Sequence, residues 1–319
     1  MSFSSDVRKE LTEITGDARH CMIAEIGAFL LMAGKIECEK GCFSIRIHTE
    51  NEAIARKYFT MIKKTFNINT EVILMTHKKR SKETYLLKTI DSKDAEKILL
   101  ATTILKYENN VPILRQHMDY MMVQSMCCKR AYLRGSFLGG GSVSDPEKGY
   151  HFEFVTLYYE NAAYLQDTMH QLDMDAKIVT RKGSYVVYLK EGSQIVDLLN
   201  VIGAHIALMQ LENIRIVKEV RNNVNRLVNC ETANLKKTVS AAVRQVQDIE
   251  YLKDTIGLSA LPQNLEEMAR FRLEYPSATL KELGELLMPP VGKSGVNHRL
   301  KKLSEIADQI REQRGGRIK

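Results

Sequence analysis

Residues 42–51, CFSIRIHTEN, alternate apolar and polar side chains, as a strand with one buried face does. Directly after them, EAIARKYFTMIKKTF (52–66) sets Ile54, Tyr58, Phe59, Ile62 and Phe66 at helical spacing. TEVILMTH (70–77) and TYLLKTI (84–90) read as two more strands, joined by the basic tip His77-Lys78-Lys79-Arg80-Ser81-Lys82. DSKDAEKILLATTIL (91–105) closes the series as a helix; Ser92 with Ala95 is a poor capping pair, but the acid-rich start suits a helix N-terminus. A second series follows in the same order. YHFEFVTLYYEN (150–161) reads as a long strand or strand pair ending in Glu-Asn, as the first does at Glu50-Asn51, and AAYLQDTMHQLDM (162–174) as a helix. AKIVTRKGSYVVYLK (176–190) makes a hairpin around Lys182-Gly183-Ser184, and SQIVDLLNVIGAHIALMQ (193–210) a closing helix. The period is roughly 107–110 residues, too long for a solenoid.

Each series is preceded by a stretch of apolar and small residues, IGAFLLMAG (26–34) and RGSFLGGG (134–141). The expected fold class is therefore α+β, with two pseudo-symmetric αββαββα halves at about 20–105 and 127–210. Gly27, Ala28, Ala33 and Gly34 in one stretch, with Gly135, Ser136, Gly139 and Gly140 in the other, let two helix backbones approach more closely than the usual ~8–10 Å.

Over about residues 20–210 this arrangement resembles the monomeric LAGLIDADG homing-endonuclease fold. That resemblance implies two sheets forming a saddle over DNA and a metal-binding acid just before the last motif glycine of each half. Here those positions hold Ala33 and Gly140, and neither side chain ligates a metal. Glu37 and Asp145 are acids nearby, but they lie beyond the helix ends, where strand and turn geometry should separate them. The expectation is a nuclease-like scaffold kept for binding, not an enzyme. Nor is Gly139–Ser142 a phosphate loop, which needs a preceding strand and a lysine after its last glycine. His151, His170 and His205 have no cysteine or acid at ligand spacing, and Cys38-x3-Cys42 has no second pair. No metal site and no cofactor are expected.

From Glu212 to about Leu252 there is no proline or glycine. Val217, Val220, Val224, Leu227 or Val228, Leu235, Val239, Val243 and Val246 trace one long amphipathic helix or two in series. Its polar face carries Arg221, Asn222, Asn223, Asn225, Arg226, Asn229, Asn234, Lys236 and Lys237. Asparagine forms helices poorly; contact with phosphates and base edges would give these side chains a use, and a solvated or interdomain face is the alternative. Farther on, Asn264 with Glu267 and Thr279 with Glu282 make two capping signals, and the helices they start stop before Pro276 and Pro289-Pro290. A third helix begins near Lys293-Ser294 with Val296, Leu300 and Leu303 as its buried stripe. Three such helices make a helix-turn-helix, whose last helix enters the major groove by its N-terminal part. It would expose Lys293, Ser294, Asn297, His298, Lys301 and Lys302, with Arg299 nearby. Asn297 suits adenine; Lys293, Arg299, Lys301 and Lys302 suit phosphates or guanine.

Charge sharpens this picture. The net +7 is uneven: residues 1–205 hold 27 Lys+Arg against 25 Asp+Glu, whereas the last 34 residues hold 8 against 3. Such a basic end favours an anionic partner. At 319 residues with 44% hydrophobic content, the chain has room for two buried cores. There is no apolar run long enough for a membrane span, MSFSSDVRKELTEI does not read as a secretory signal, and the six cysteines show no disulfide framework. A cytoplasmic protein is expected.

The order of these parts, and above all NRLVNCETANLKKTVSAAVRQ (225–245) and TLKELGELLMPPVGKSGVNHRLKKLSEIA (279–307), resembles the WhiA family of Gram-positive bacteria over nearly the whole chain. The resemblance implies a degenerate LAGLIDADG-like domain at 1–210, a helical linker at 211–252, a sigma-factor-like helix-turn-helix at 253–311 and a basic tail at 312–319. It further implies a nucleoid-associated transcriptional regulator on double-stranded DNA, tied to sporulation, or to cell division and chromosome segregation. The rival readings are an active homing endonuclease, an RNA-binding protein, and an adaptor for RNA polymerase or another regulator.

Overall fold

The alternating segments become two four-stranded antiparallel sheets in a computed structural model that describes residues 2–16, 18–39, 41–77 and 82–315. The chain divides into two compact units, Met1–Glu219 and Val220–Lys319.

The first unit opens with α1 (Phe3–Glu13), a short helix with Val7 and Leu11 buried and Ser2 as its cap. The first half then runs α2 (Arg19–Ala33), β1 (Gly34–Glu39), β2 (Cys42–Thr49), α3 (Glu52–Phe66), β3 (Thr70–His77), β4 (Lys82–Thr89) and α4 (Ser92–Ala101). A hairpin, β5 (Leu105–Glu108) and β6 (Val111–Leu114), leads to the second half. That half repeats the order as α5 (Met126–Gly140), β7 (Gly141–Val143), β8 (Phe152–Thr156), α6 (Tyr159–His170), β9 (Lys177–Arg181), β10 (Ser184–Leu189) and α7 (Gly192–Ile202). The sheets are ordered β1-β2-β4-β3 and β7-β8-β10-β9. Their registers coincide at a shift of 107: Gly34 faces Ile47 as Gly141 faces Phe154, and Ile36 faces Ile45 as Val143 faces Phe152.

The alternation in β2 does what the period of two requires: Phe43, Ile45 and Ile47 are buried, and the residues between them are not. Asn51 starts α3 by accepting the Ala53 and Ile54 N–H groups at 2.9 and 3.3 Å. Asp91 does the same for α4 through the Lys93 N–H, so the cap lies one residue before Ser92.

Several expected boundaries move, and the helix expected over 91–105 stops at Ala101, with Leu105 opening β5. The strand expected over 150–161 is only Phe152–Thr156, and α6 begins at Tyr159. Glu160 and Asn161 therefore lie inside the helix; the aromatic run resembles a strand, while Glu160 in the first turn suits the helix dipole. The closing helix expected over 193–210 breaks at Gly203, whose φ of 95° ends α7 before α8 (His205–Thr255) begins. The segment read as one helix or two is one. Residues 78–81 of the basic tip lie outside the described residues.

In the second unit the end of α8 packs with α9 (Gln263–Glu274), α10 (Leu280–Leu286) and α11 (Lys293–Gly315) around Ile249, Leu252, Leu265, Met268, Leu283, Val296, Leu300 and Leu303. Buried Asp248 on α8 takes the Arg311 guanidinium at 2.8 Å, so a polar latch accompanies the apolar packing. Asn264 is not a helix cap: Pro262 holds that position, where its missing N–H costs nothing, and α9 starts at Gln263. α11 continues past Arg311, taking in residues 312–315.

Candidate nucleic-acid interface and the meeting helices

The central pair α2 and α5 shows why small residues recur in α5, whereas Gly27 of α2 leaves room for Met118 and Thr102 and Gly34 lies against Leu30 of its own helix. A Cβ at Gly135 would overlap the Glu25 carbonyl oxygen, and one at Gly139 would lie 2.7 Å from Met32 Cβ. Contacts from residues 25 to 32 against 135 to 140 advance together, so the helices run in the same direction with their backbones nearly touching. Across this contact lies an ion network that sequence reading missed. Glu25 takes Arg134 at 2.8 Å through one oxygen and Lys57 of α3 at 2.8 Å through the other. Lys57 also donates to the carbonyls of Leu11 and Ile14, and Arg134 to that of Ile202. Glu25 is 1% exposed, and burial lowers the Lys57 pKa despite the attraction of Glu25. The only sequence signal was one charge at the start of each apolar stretch, Glu25 just before 26–34 and Arg134 opening 134–141.

Ala33 and Gly140 are the last residues of α2 and α5, and Gly34 and Gly141 cap the two helices. Even a Cβ at Gly140 would sit 2.8 Å from both Met32 Cε and the Val155 carbonyl oxygen. Arg8 of α1 donates to the carbonyls of Leu138 and Gly141, so the chain's own cation occupies the negative end of α5. Glu37 is engaged by Lys35 at 2.7 Å and Arg46 at 3.1 Å, and the Lys35 bond lowers its pKa. Asp145 accepts the Glu147 N–H in a turn. Glu153 on β8 takes His151 at 3.0 Å and Arg181 at 3.1 Å. Burial opposes its ionisation, but the two partners hold its carboxyl below the usual range. His151 thus has an acid partner that its sequence surroundings did not reveal. Both sheet faces pair their arginine, Arg46 or Arg181, with an acid.

At the other end of the meeting helices, His20 and Cys21 of α2 face Cys127 and Cys128 of α5. The His20 Nδ1 lies 3.1 Å from Cys128 Sγ and 3.4 Å from Cys21 Sγ, and the four donor atoms all lie within 4.8 Å of one another. Sequence reading sought ligands in Cys38-x3-Cys42, which the structure places as exposed residues of the β1–β2 hairpin.

The helix-turn-helix rests on α10 and α11. Thr279 accepts the Glu282 N–H at 3.3 Å while the Glu282 carboxylate accepts the Thr279 N–H at 2.7 Å, a reciprocal capping box. After α10 the Val291 N–H returns to the Gly284 carbonyl at 2.9 Å, and a Cβ at Gly284 would overlap the Val291 carbonyl oxygen, so glycine permits the tight turn. Val296, Leu300 and Leu303 are buried as expected. Lys293, Ser294, Asn297, His298, Lys301 and Lys302 are exposed on α11; Asn297 and Lys301 also line a groove against Ala241, Arg244 and Gln245 of α8, and Lys301 lies 3.8 Å from Glu305. Arg299 is half-buried and lines a separate groove with Gln263, Asn264, Glu267, Met288 and Pro289. Arg221, Asn222, Asn225, Arg226, Lys236 and Lys237 are all exposed on α8, and so are Val220, Val224, Leu227 and Leu235.

Family models described as the WhiA N-terminal LAGLIDADG-like domain, the WhiA LAGLIDADG-like domain and the WhiA C-terminal HTH domain match residues 19–105, 129–221 and 224–307. A relative named probable cell division protein WhiA, from Alkaliphilus metalliredigens, is 51% identical over 313 residues, covering 98% of this chain and 99% of its own. Its namesake from Alkaliphilus oremlandii is 52% identical over 322 residues, with both chains fully covered. The crystal structure of full-length DUF199/WhiA from Thermatoga maritima shares the fold, with a TM-score of 0.60 at 24% identity over 97% of this chain and 99% of that one.

Proposed function

The chain belongs to the WhiA family, and from that premise we propose that it is a DNA-binding transcriptional regulator that does not cleave DNA. Its process is cell division and chromosome segregation, or sporulation, in a Gram-positive bacterium. The observation that carries this reading is the capped α10, the tight turn at Gly284 and the exposed row Lys293, Ser294, Asn297, His298, Lys301 and Lys302 on α11. The first turn of α11 adds the positive end of a helix to the lysines, which favours phosphate. Asn297 is assigned to a base edge and the lysines to backbone phosphates. Arg299 is given a lesser part because it is half-buried, unlike the other residues of the row. Along α8, Arg221, Asn222, Asn225, Arg226, Lys236 and Lys237 extend the anion-binding surface. Residues 1–210 are assigned to the scaffold, 211–252 to the linking helix and 253–311 to DNA reading, in a nucleoid-associated cytoplasmic protein.

Fluorescence anisotropy with labelled duplex DNA over a range of salt tests this. Each phosphate contact contributes a slope of roughly −0.9 in log K against log salt. Replacing Lys293, Lys301 and Lys302 with alanine should lower the slope by about 3 and weaken all sequences alike. Binding that is insensitive to salt and to this triple change would refute the assignment.

Ala33 and Gly140 support loss of cleavage, since neither offers a carboxylate and Gly140 lacks room for one. Incubation with supercoiled plasmid and Mg²⁺ or Mn²⁺ should leave the plasmid intact. Nicking that disappears in Glu37→Ala or Asp145→Ala would reverse this part.

A second reading is favoured by one observation: Val220, Val224, Leu227 and Leu235 are more than half exposed on α8. Such side chains suit a protein surface, and RNA polymerase or another regulator is the partner proposed. Pull-down of polymerase by the full chain, lost when Val224 and Leu227 become serine while DNA binding persists, is the expected result.

A further inference from the structure

The repeat that aligns α2 with α5 also aligns their first turns, placing His20 opposite Cys127 and Cys21 opposite Cys128 in the shift of 107. We propose that these four side chains bind one zinc ion, joining the N-terminal ends of the two pseudo-equivalent helices.

Three sulfurs and one imidazole nitrogen are a common donor set of structural zinc sites. With metal–ligand bonds of about 2.0–2.3 Å, a tetrahedral site has donor–donor edges of roughly 3.3–3.8 Å. The His20 Nδ1 already lies 3.1 and 3.4 Å from the Cys128 and Cys21 sulfurs, and no pair among the four atoms exceeds 4.8 Å. Buried Cys128 and half-buried Cys21 form the fixed side. His20 and Cys127 are exposed, which provides the entry path and the freedom to close the last ångström. Ser125 Oγ, 3.2 Å from Cys127 Sγ, is a ready outer hydrogen-bond partner for that ligand.

The charge balance also fits. Binding releases the three thiol protons to solvent, so Zn²⁺ with three thiolates and a neutral imidazole carries a net charge of −1. Two helix N-termini converge on the cluster, and Arg19, Lys129 and Arg130 flank it in sequence, so the surroundings favour that charge. Four protein donors fill the tetrahedron and leave no position for water or substrate, which makes the ion a staple with no catalytic part.

The test uses the full-length protein, purified reduced and without chelator, and is independent of DNA binding. Elemental analysis should find about one zinc per chain. Titrating the metal-free reduced protein with Co²⁺ should produce thiolate-to-cobalt charge-transfer bands and strong tetrahedral ligand-field bands. Zn²⁺ should abolish them, and an indicator should record about three protons released per ion. Cys21→Ser and Cys128→Ser should lose the bands and His20→Ala should weaken binding, whereas Cys38→Ser with Cys42→Ser should change nothing. A reduced wild-type chain with neither stoichiometric zinc nor cobalt–thiolate bands overturns the proposal, as do bands that survive Cys21→Ser with Cys128→Ser. A Cys21–Cys127 disulfide whose reduction yields no metal binding does the same. The wild-type titration decides even where a variant does not fold.

Discussion

A carboxylate at position 140 would have to enter a space already bounded by Met32 and by the backbone oxygen of Val155, 2.8 Å from where its Cβ would stand. The thioether can swing aside; the carbonyl cannot without moving β8. Gly140→Asp is therefore expected to lower stability by about 1–3 kcal/mol in urea unfolding, and wild-type stability in that variant would show that the site is roomy. Glu25 lies at the other extreme, since the space is filled and the cost of change is electrostatic. Glu25→Ala leaves the Arg134 and Lys57 charges buried without their partner, and should cost about 3–5 kcal/mol by the same measurement. The glycines were legible in the sequence because close approach demands them at any cost to helix propensity. The Glu25 network was not, because its members come from three helices and only folding brings them together.

Among the elements, α3, β3 and the β9–β10 hairpin stood where apolar periodicity put them, because each has one buried face and clear turn chemistry at its ends. Prediction failed where one residue overrode the pattern. Gly203 interrupts a run of apolar spacing that continues on both sides, and its left-handed φ of 95° appears only in three dimensions. α1 was overlooked because about three turns with three buried residues, Val7, Leu11 and Thr12, give little period to read. α10 depends on its cap more than longer helices do, having only seven residues. Thr279→Ala should lower the melting stability of the second unit by about 1 kcal/mol. The cap has a pH dependence of known sign. Hydrogen bonds from the Thr279 N–H and side chain depress the folded pKa of Glu282 below its ordinary 4.5, so the native state holds this proton more weakly than the unfolded chain. The stabilisation is full above the ordinary carboxylate range and is lost as pH falls through the depressed folded value. Thermal melts across that acid window should converge for the wild type and Glu282→Gln.

At the scale of the molecule, the cations of the described residues differ in what they are paired with. Arg46 and Arg181 on the two sheet faces are bound to Glu37 and Glu153, while Lys293 and Lys302 of α11 face solvent in the second unit. Arg46→Ala is thus expected to leave the salt slope of DNA binding unchanged under conditions in which the α11 lysine changes reduce it. An equal effect of both would move DNA contact onto the sheets. The ion pair at the meeting helices has a further consequence. The 107-residue repeat places Tyr132 where Glu25 would recur and Gly27 where Arg134 would recur. Each half therefore carries one pole of the Glu25–Arg134 contact, and neither carries both. If two copies paired like half with like half, every Glu25 would face a glycine and every Arg134 a tyrosine, stranding buried charge at each seam. The duplicated helices can still tell each other apart: the network disfavours pairing of like halves, and it makes the pairing of α2 with α5 part of what the sequence encodes.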